Sequence, residues 1–162
     1  MLKRLFWWTV FAAAFGYCEA LVVVYIRRLC GMALGLDYQQ VWAARHLVWN
    51  GPSIIAEMTR LGVCQTEQTR EIATLLLLIG PACAAGRTGR ERLGIFLYTF
   101  AVWDETYYLF LKVWTGFPQS LTAADIYFLL PFAWFGPVWF PVLLVMPALI
   151  VLSLWLLGTR GR

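Results

Sequence analysis

The sequence predicts an all-α fold: a polytopic transmembrane helical bundle of about four spans, with one or two interfacial amphipathic helices in its first connection. Three observations carry this expectation. The 162 residues are 61% hydrophobic and only 14% charged, with a mean hydropathy of +0.69, whereas a soluble domain of this length needs far more polar surface. Apolar runs near the ~20 residues that cross ~30 Å of hydrocarbon recur four times. Basic residues and many of the nine Trp and seven Tyr gather at the ends of those runs, where membrane interfaces place them. Residues 1–162 thus form a single integral membrane domain with no room for a separate soluble one.

The first span, Phe6 to Ile26, follows Lys3 and Arg4. Its apolar run is too long for a signal-peptide core, and Tyr17 before Cys18 spoils a lipobox, so it reads as a retained signal anchor. The connection from Arg27 to Thr69 reads as structured. Asp37-Tyr38-Gln39-Gln40 resembles a capping box opening a helix that runs to Trp49, where Asn50-Gly51-Pro52 stops it. Trp42 and Trp49, seven residues apart, place that helix in the interface. Ser53 caps a second short helix, Ile54 to Leu61, ended by Gly62.

The second span, Arg70 to Gly86, has a short apolar core and a late Pro81, and extends N-terminally through Thr66. After the basic turn Arg87-Thr88-Gly89-Arg90-Glu91-Arg92 comes the third span, Leu93 to Gly116. Thr122-Ala123-Ala124-Asp125 is expected to cap a short helix stopping near Pro131, and Phe135-Gly136-Pro137 to turn into the last span, Pro137 to Gly158. Pro147 should kink that span by removing a bond to Leu143.

The basic turn at 87–92 belongs in the cytoplasm, with Lys3, Arg4, Arg160 and Arg162 on the same side, whereas Phe117 to Asp125 has no Lys or Arg and faces outward. Both termini are therefore expected inside. Arg27, Arg28, Arg45 and Arg60 then lie outside and ask for partners: buried acids, lipid phosphates or another subunit. With Trp42 and Trp49 they are the candidate partner or lipid contacts. The net charge of +4 comes from residues flanking apolar runs, not from a patch, so it points to topology and lipid head groups and not to nucleic acid.

The third span holds the most informative residues. Asp104 and Glu105 sit near its centre, where carboxylates are costly and normally face a bundle interior or wet cavity. Asp104, Tyr108 and Lys112 share a face at four-residue spacing, with Tyr107 beside them, and Lys112 either snorkels outward or reaches back to Glu105. Glu19 lies at similar depth on the first span, and Arg70 and Glu71 open the second at that level. The candidate polar site is thus Glu19, Arg70, Glu71, Asp104, Glu105, Tyr107, Tyr108 and Lys112, with Arg27 and Arg28 at its outer rim. It either accepts protons, binds a cation or orients a polar ligand, or it forms ion pairs that fix helix packing.

Other chemistry finds little footing. His46 is the only histidine, which excludes haem ligation by paired imidazoles within the chain. No metal-ligand spacing, nucleophile–base pair or phosphate loop is present, and no cofactor is indicated. Cys30 and Cys64 could meet on the oxidising side, although nothing in the spacing of Cys18, Cys30, Cys64 and Cys83 demands a bridge. The aromatics at span ends read as interface anchors, or as a face for a pigment, quinone or subunit.

Trp103-Asp104, Tyr107-Tyr108, Leu111-Lys112, Gly116-Phe117-Pro118-Gln119-Ser120-Leu121, Asp125 and the Pro131…Trp134…Pro137 run resemble an uncharacterised group of small bacterial multi-span membrane proteins. Glu19-Ala20-Leu21-Val22-Val23-Val24-Tyr25 and Arg70-Glu71 are similar to the same group. The resemblance implies bacterial inner-membrane placement and no particular activity, substrate or cofactor. Small size, abundant aromatics, outward arginines and the lack of a catalytic signature favour an accessory or scaffold subunit of a larger inner-membrane assembly, contacting the bilayer and other membrane subunits or further copies of itself. Two alternatives stand beside it: a small transporter or proton-linked protein using Glu19, Asp104 and Glu105, and a membrane enzyme acting on a lipid or quinone through Glu19, Asp104 and Tyr108.

Overall fold

The computed structural model describes residues 2–33 and 51–158. The expected interfacial helix from Asp37 to Trp49, with Trp42, Arg45 and His46, lies outside them, as do Arg160 and Arg162. The described residues are mostly helical: α1 (Leu2–Ala33), α2 (Gly51–Arg60), α3 (Cys64–Ala85), α4 (Gly89–Thr115), then β1 (Ala124–Phe128), β2 (Trp134–Pro137), a π-helical turn (Phe140–Val145) and α5 (Met146–Gly158).

Helices therefore occupy all four predicted span positions. Two segments, Leu2–Leu29 and Phe140–Gly158, are long and apolar enough to cross a membrane by length and composition. Only 28% and 17% of the residues in their most apolar windows are buried within the protein. The core helix of a soluble domain would be mostly buried, so these apolar faces are turned outward.

The helices alternate in direction. α1 and α4 run parallel: Arg4 pairs with Glu91 at 2.9 Å, Thr9 Oγ1 lies 2.7 Å from Tyr98 Oη, and Tyr17 packs edge-on against Phe110. Gly16 permits this approach, since a Cβ there would meet the Trp103 carbonyl oxygen at 2.6 Å and the Thr106 hydroxyl closer still. α3 runs back beside α1, with Ala12 packing on Leu78 near one end and Glu19 on Arg70 near the other. α5 is antiparallel to α4: its last turn meets the first turns of α4, where Leu157 packs on Gly94 and the Arg90 guanidinium sits 4.7 Å from the Trp155 ring centroid. The β1–β2 hairpin that leads into it carries Phe128 against Phe100 and Trp103, and Tyr127 against Phe140. One end of the bundle thus gathers Arg4, Arg87 and Arg90.

Local sequence explains the helix ends. Thr88 caps α4 by accepting from the Glu91 amide at 3.2 Å, and Glu91 reaches back to accept from the Arg87 amide at 3.1 Å. This variant of the capping box lies in a segment whose basic charge obscures it. Gly116 ends α4 at φ 75°, its amide bonded to the Lys112 carbonyl, and Gly62 follows α2 at φ 70°. Glycine is favoured where the chain leaves a helix through this left-handed region.

Two expectations are corrected. The short helix from Asp125 to Pro131 is instead a β-hairpin, with Ala124 opposite Pro137 and Phe128 opposite Trp134. Ile126-Tyr127-Phe128 are β-branched or aromatic residues suited to a pleated strand, and Tyr127 Oη donates to the Pro137 carbonyl across the pair at 2.7 Å. Thr122 contacts Ser120 at 3.0 Å rather than capping a helix. The last regular helix also begins later than Pro137, because Pro141 and Pro147 bracket a π-helical turn whose Met146 amide bonds to the Pro141 carbonyl. The irregularity expected at Pro147 therefore falls on its N-terminal side, where its missing N–H frees the upstream carbonyls.

Candidate functional site

Towards the end opposite the basic cluster, α1, α3, α4 and the hairpin line a partly open cavity of about 90 Å³. Each element contributes for a local reason. Glu19, Val23, Ile26 and Arg27 fall on one face of α1. Glu67, Arg70 and Glu71 occupy the first two turns of α3. Trp103, Asp104, Tyr107 and Tyr108 form the inward face of α4, and Asp125, Ile126, Tyr127 and Leu129 come from the hairpin.

Along the α3 side the polar groups are satisfied. The Arg70 guanidinium donates to Glu19 at 2.6 Å, to both Glu67 oxygens at 2.9 Å, and to Thr74 Oγ1 at 3.2 Å. Glu71 accepts the Leu129 amide on both oxygens, at 3.0 and 2.9 Å. Gln68 donates to the Leu129 carbonyl at 3.2 Å, so α3 holds the hairpin by its backbone. Leu129 also packs on Met58 of α2, among Ile26, Ile55 and Ile126.

The α1–α4 side is different. Arg27 and Asp125 form a loose pair at 3.8 Å, with the guanidinium 4.2 Å from the centroid of the Phe117 ring. Burial pushes the Asp125 carboxyl above the ordinary aspartate range, against the opposing pull of Arg27, the Tyr108 hydroxyl and the Ile126 amide. Among the described residues, four buried side-chain atoms have no hydrogen-bond partner: Arg27 Nε, Trp103 Nε1, Asp104 Oδ2 and Asp125 Oδ2. All four residues line the one cavity. Buried polar groups are nearly always paired with protein or water, so a cluster of orphans around a void marks a place where something polar belongs.

The structure brings together six of the eight candidate residues: Glu19, Arg70, Glu71, Asp104, Tyr107 and Tyr108. Glu105 is half-buried on α4 and does not line the cavity. Lys112 is turned to the α4 C-terminus, where Nζ donates to the carbonyls of Gly116 and Pro118 at 3.0 and 2.5 Å, and it does not reach Glu105. Of the arginines expected at the outer face, Arg27 is buried at the cavity, Arg28 and Arg60 both have interactions of their own, and Arg45 lies outside the described residues. Cys18, Cys64 and Cys83 are free thiols.

Sequence reading missed Glu67, Trp103, Asp125 and Tyr127. Glu67 could have been found from its spacing, three residues before Arg70 on an extended α3. Asp125 could not, because its role depends on the hairpin folding back over α4.

Among the described residues no group of three or more His, Cys, Asp or Glu side chains is arranged to hold a metal ion. No family model matches the chain, and no curated protein or solved structure is significantly similar to it. The chemistry of the site therefore rests on its own geometry. Five carboxylates and two guanidiniums line one partly open cavity, an arrangement suited to holding protons or a small cation.

Proposed function

We propose that this chain is a small bacterial inner-membrane protein of four spans that binds and passes protons through the acidic cavity. The observation that carries the reading is the convergence of Glu19, Glu71, Asp104 and Asp125 on one void, with two aspartate oxygens left unpartnered. Intramembrane acids kept without counter-charges are costly, and proton relays are a setting in which that cost is repaid by function. The alternating helix directions are those of an up-down-up-down bundle. With Arg4, Arg87 and Arg90 at one end, the positive-inside rule puts both termini in the cytoplasm and the cavity in the outer half.

The test is proton flux in proteoliposomes under an imposed membrane potential, read with an internal pH dye. The wild-type protein should acidify or alkalinise the lumen according to the sign of the potential. Asp104→Asn should abolish that flux while Glu105→Gln, outside the cavity, preserves it. A folded Asp104→Asn protein with wild-type flux would sink the proposal.

One observation favours a second reading, an accessory subunit of a larger membrane assembly. The hairpin exposes Phe132 and Trp134 as a stacked pair at its tip, with Phe135 and Trp139 also exposed further along the chain, and a partner subunit would cover such apolar surface. Gentle extraction from the source membrane followed by native mass analysis decides it: co-migrating subunits support the reading, and a lone chain removes it.

A further inference from the structure

The charge around the cavity is unevenly compensated: two of its five carboxylates, Glu71 and Asp104, pair with no cation among the described residues, and Arg70 serves two others. Arg70 is committed to Glu19 and Glu67, Arg27 to Asp125, and Glu71 to the Leu129 amide. Asp104, more than nine-tenths buried, pairs with no cation among the described residues, and its Oδ2 is unpartnered. Asp125 offers a second unpartnered oxygen to the same space.

The walls add a second chemical feature. Trp103, Tyr107, Tyr108 and Tyr127 all line the cavity, and aromatic faces attract ammonium groups, most strongly where water is excluded. The void of about 90 Å³ is smaller than the ~150 Å³ cavity that admits benzene, and it suits an occupant of a few heavy atoms.

Resting on the proton-linked reading, we infer that the cavity binds a small primary alkylammonium ion, its N–H groups donating to Asp104 Oδ2 and Asp125 Oδ2 and its alkyl end lying against the aromatic walls. A primary ammonium is favoured over a quaternary one because the two orphan oxygens, once ionised, are acceptors, which an N–H group satisfies and a quaternary ion cannot. A bare divalent ion would need a denser set of oxygen ligands, and no such group occurs among the described residues. Arg27 Nε and Trp103 Nε1, both donors, are left to water sharing the space.

The probe is methylammonium chloride, titrated calorimetrically into the full-length protein in nanodiscs at constant ionic strength. Saturable binding is expected, weakened at least tenfold in Asp104→Asn and unchanged in Glu105→Gln. Absence of saturable binding to the wild type, or equal binding to Asp104→Asn, overturns the inference. Should Asp104→Asn fail to fold, the wild type alone suffices: methylammonium should raise its thermal midpoint above that in matched sodium or tetramethylammonium chloride. Equal midpoints in the three salts overturn the inference. Proton flux without methylammonium binding would remove the ligand assignment and leave the proton-linked reading standing. Methylammonium binding without flux would remove that reading and leave the site.

Discussion

At the scale of single residues, Arg70 and Asp125 have opposite characters. Arg70 is the shared cation of two carboxylates, Glu19 and Glu67, and is three-quarters buried. Removing one partner of a buried network leaves charge uncompensated, at a cost of about 3–5 kcal/mol. Arg70→Ala should therefore lower the thermal midpoint of the detergent-solubilised protein sharply, and Arg70→Ala combined with Glu19→Gln and Glu67→Gln should recover part of the loss. Asp125 is held in a site that disfavours its charge. Its folded-state pKa is raised, by burial first, so the folded protein binds more protons than the unfolded chain between the ordinary aspartate value and the raised one. This contribution is fully present below the ordinary aspartate range and is lost as pH rises through the folded-state value. The groups facing it are Arg27 on α1 and Asp104, Tyr107 and Tyr108 on α4. Asp125→Asn should flatten this decline in stability with pH, measured by thermal midpoints across the acid-to-neutral range. Asp104, Tyr107 and Tyr108 were legible from a shared helical face. Of the two readings of Lys112, the structure follows the outward one, with the ammonium at its own helix end, a choice that spacing alone leaves open.

At the scale of elements, helices were readable and the hairpin was not. The apolar run that ends at Gly116 is a local signal and places α4 to within a few residues of its observed ends, although its cap, Thr88, reads in the sequence as part of a basic turn. The hairpin depends on contacts 58 residues apart, between Glu71 and the Leu129 amide, which no local pattern contains. Prolines at 131, 137 and 141 further suggested interrupted helix where the chain forms strands. The contact between α1 and α4 is also a property of elements, and Gly16 controls it. A side chain there would press on the Trp103 carbonyl at 2.6 Å and the Tyr107 amide at 3.0 Å, which are backbone atoms that cannot rotate away. Gly16→Val should cost about 1–3 kcal/mol through overpacking and should also impair flux, because Trp103, Asp104 and Tyr107 line the cavity from that stretch of α4. Gly80, also in a helix, has open space where a Cβ would stand, with nothing within 4 Å, so Gly80→Ala should leave the midpoint unchanged or slightly higher. Similar losses from both substitutions would mean that the close approach of α1 and α4 has no energetic role.

At the scale of the whole molecule, the proposed four spans require α3 and α4 to cross a membrane, whereas among the described residues only Leu2–Leu29 and Phe140–Gly158 are long and apolar enough by composition. Most of their charged residues gather at the cavity or the helix ends, with half-buried Glu105 the exception. Glu67, Arg70 and Glu71 lie in the first turns of α3, and Asp104 and Tyr108 face the cavity. Leu76, Leu77, Leu109 and Val113 remain on the outer surface. A helix whose charges are enclosed by its neighbours meets lipid with its apolar side alone, so composition averaged along a helix understates its fitness to span. If this is right, the two ends of α4 lie on opposite sides of the bilayer. Thr88 and Ser120, both exposed, flank it. In a chain with Cys18, Cys30, Cys64 and Cys83 replaced by Ser, a membrane-impermeant maleimide applied to spheroplasts should label Ser120→Cys at once. Thr88→Cys should react only after permeabilisation, because the basic end belongs in the cytoplasm. The reverse pattern would invert the bundle and carry the cavity to the inner half. Immediate labelling of both would mean that α4 does not cross, and the four-span arrangement would fall with it.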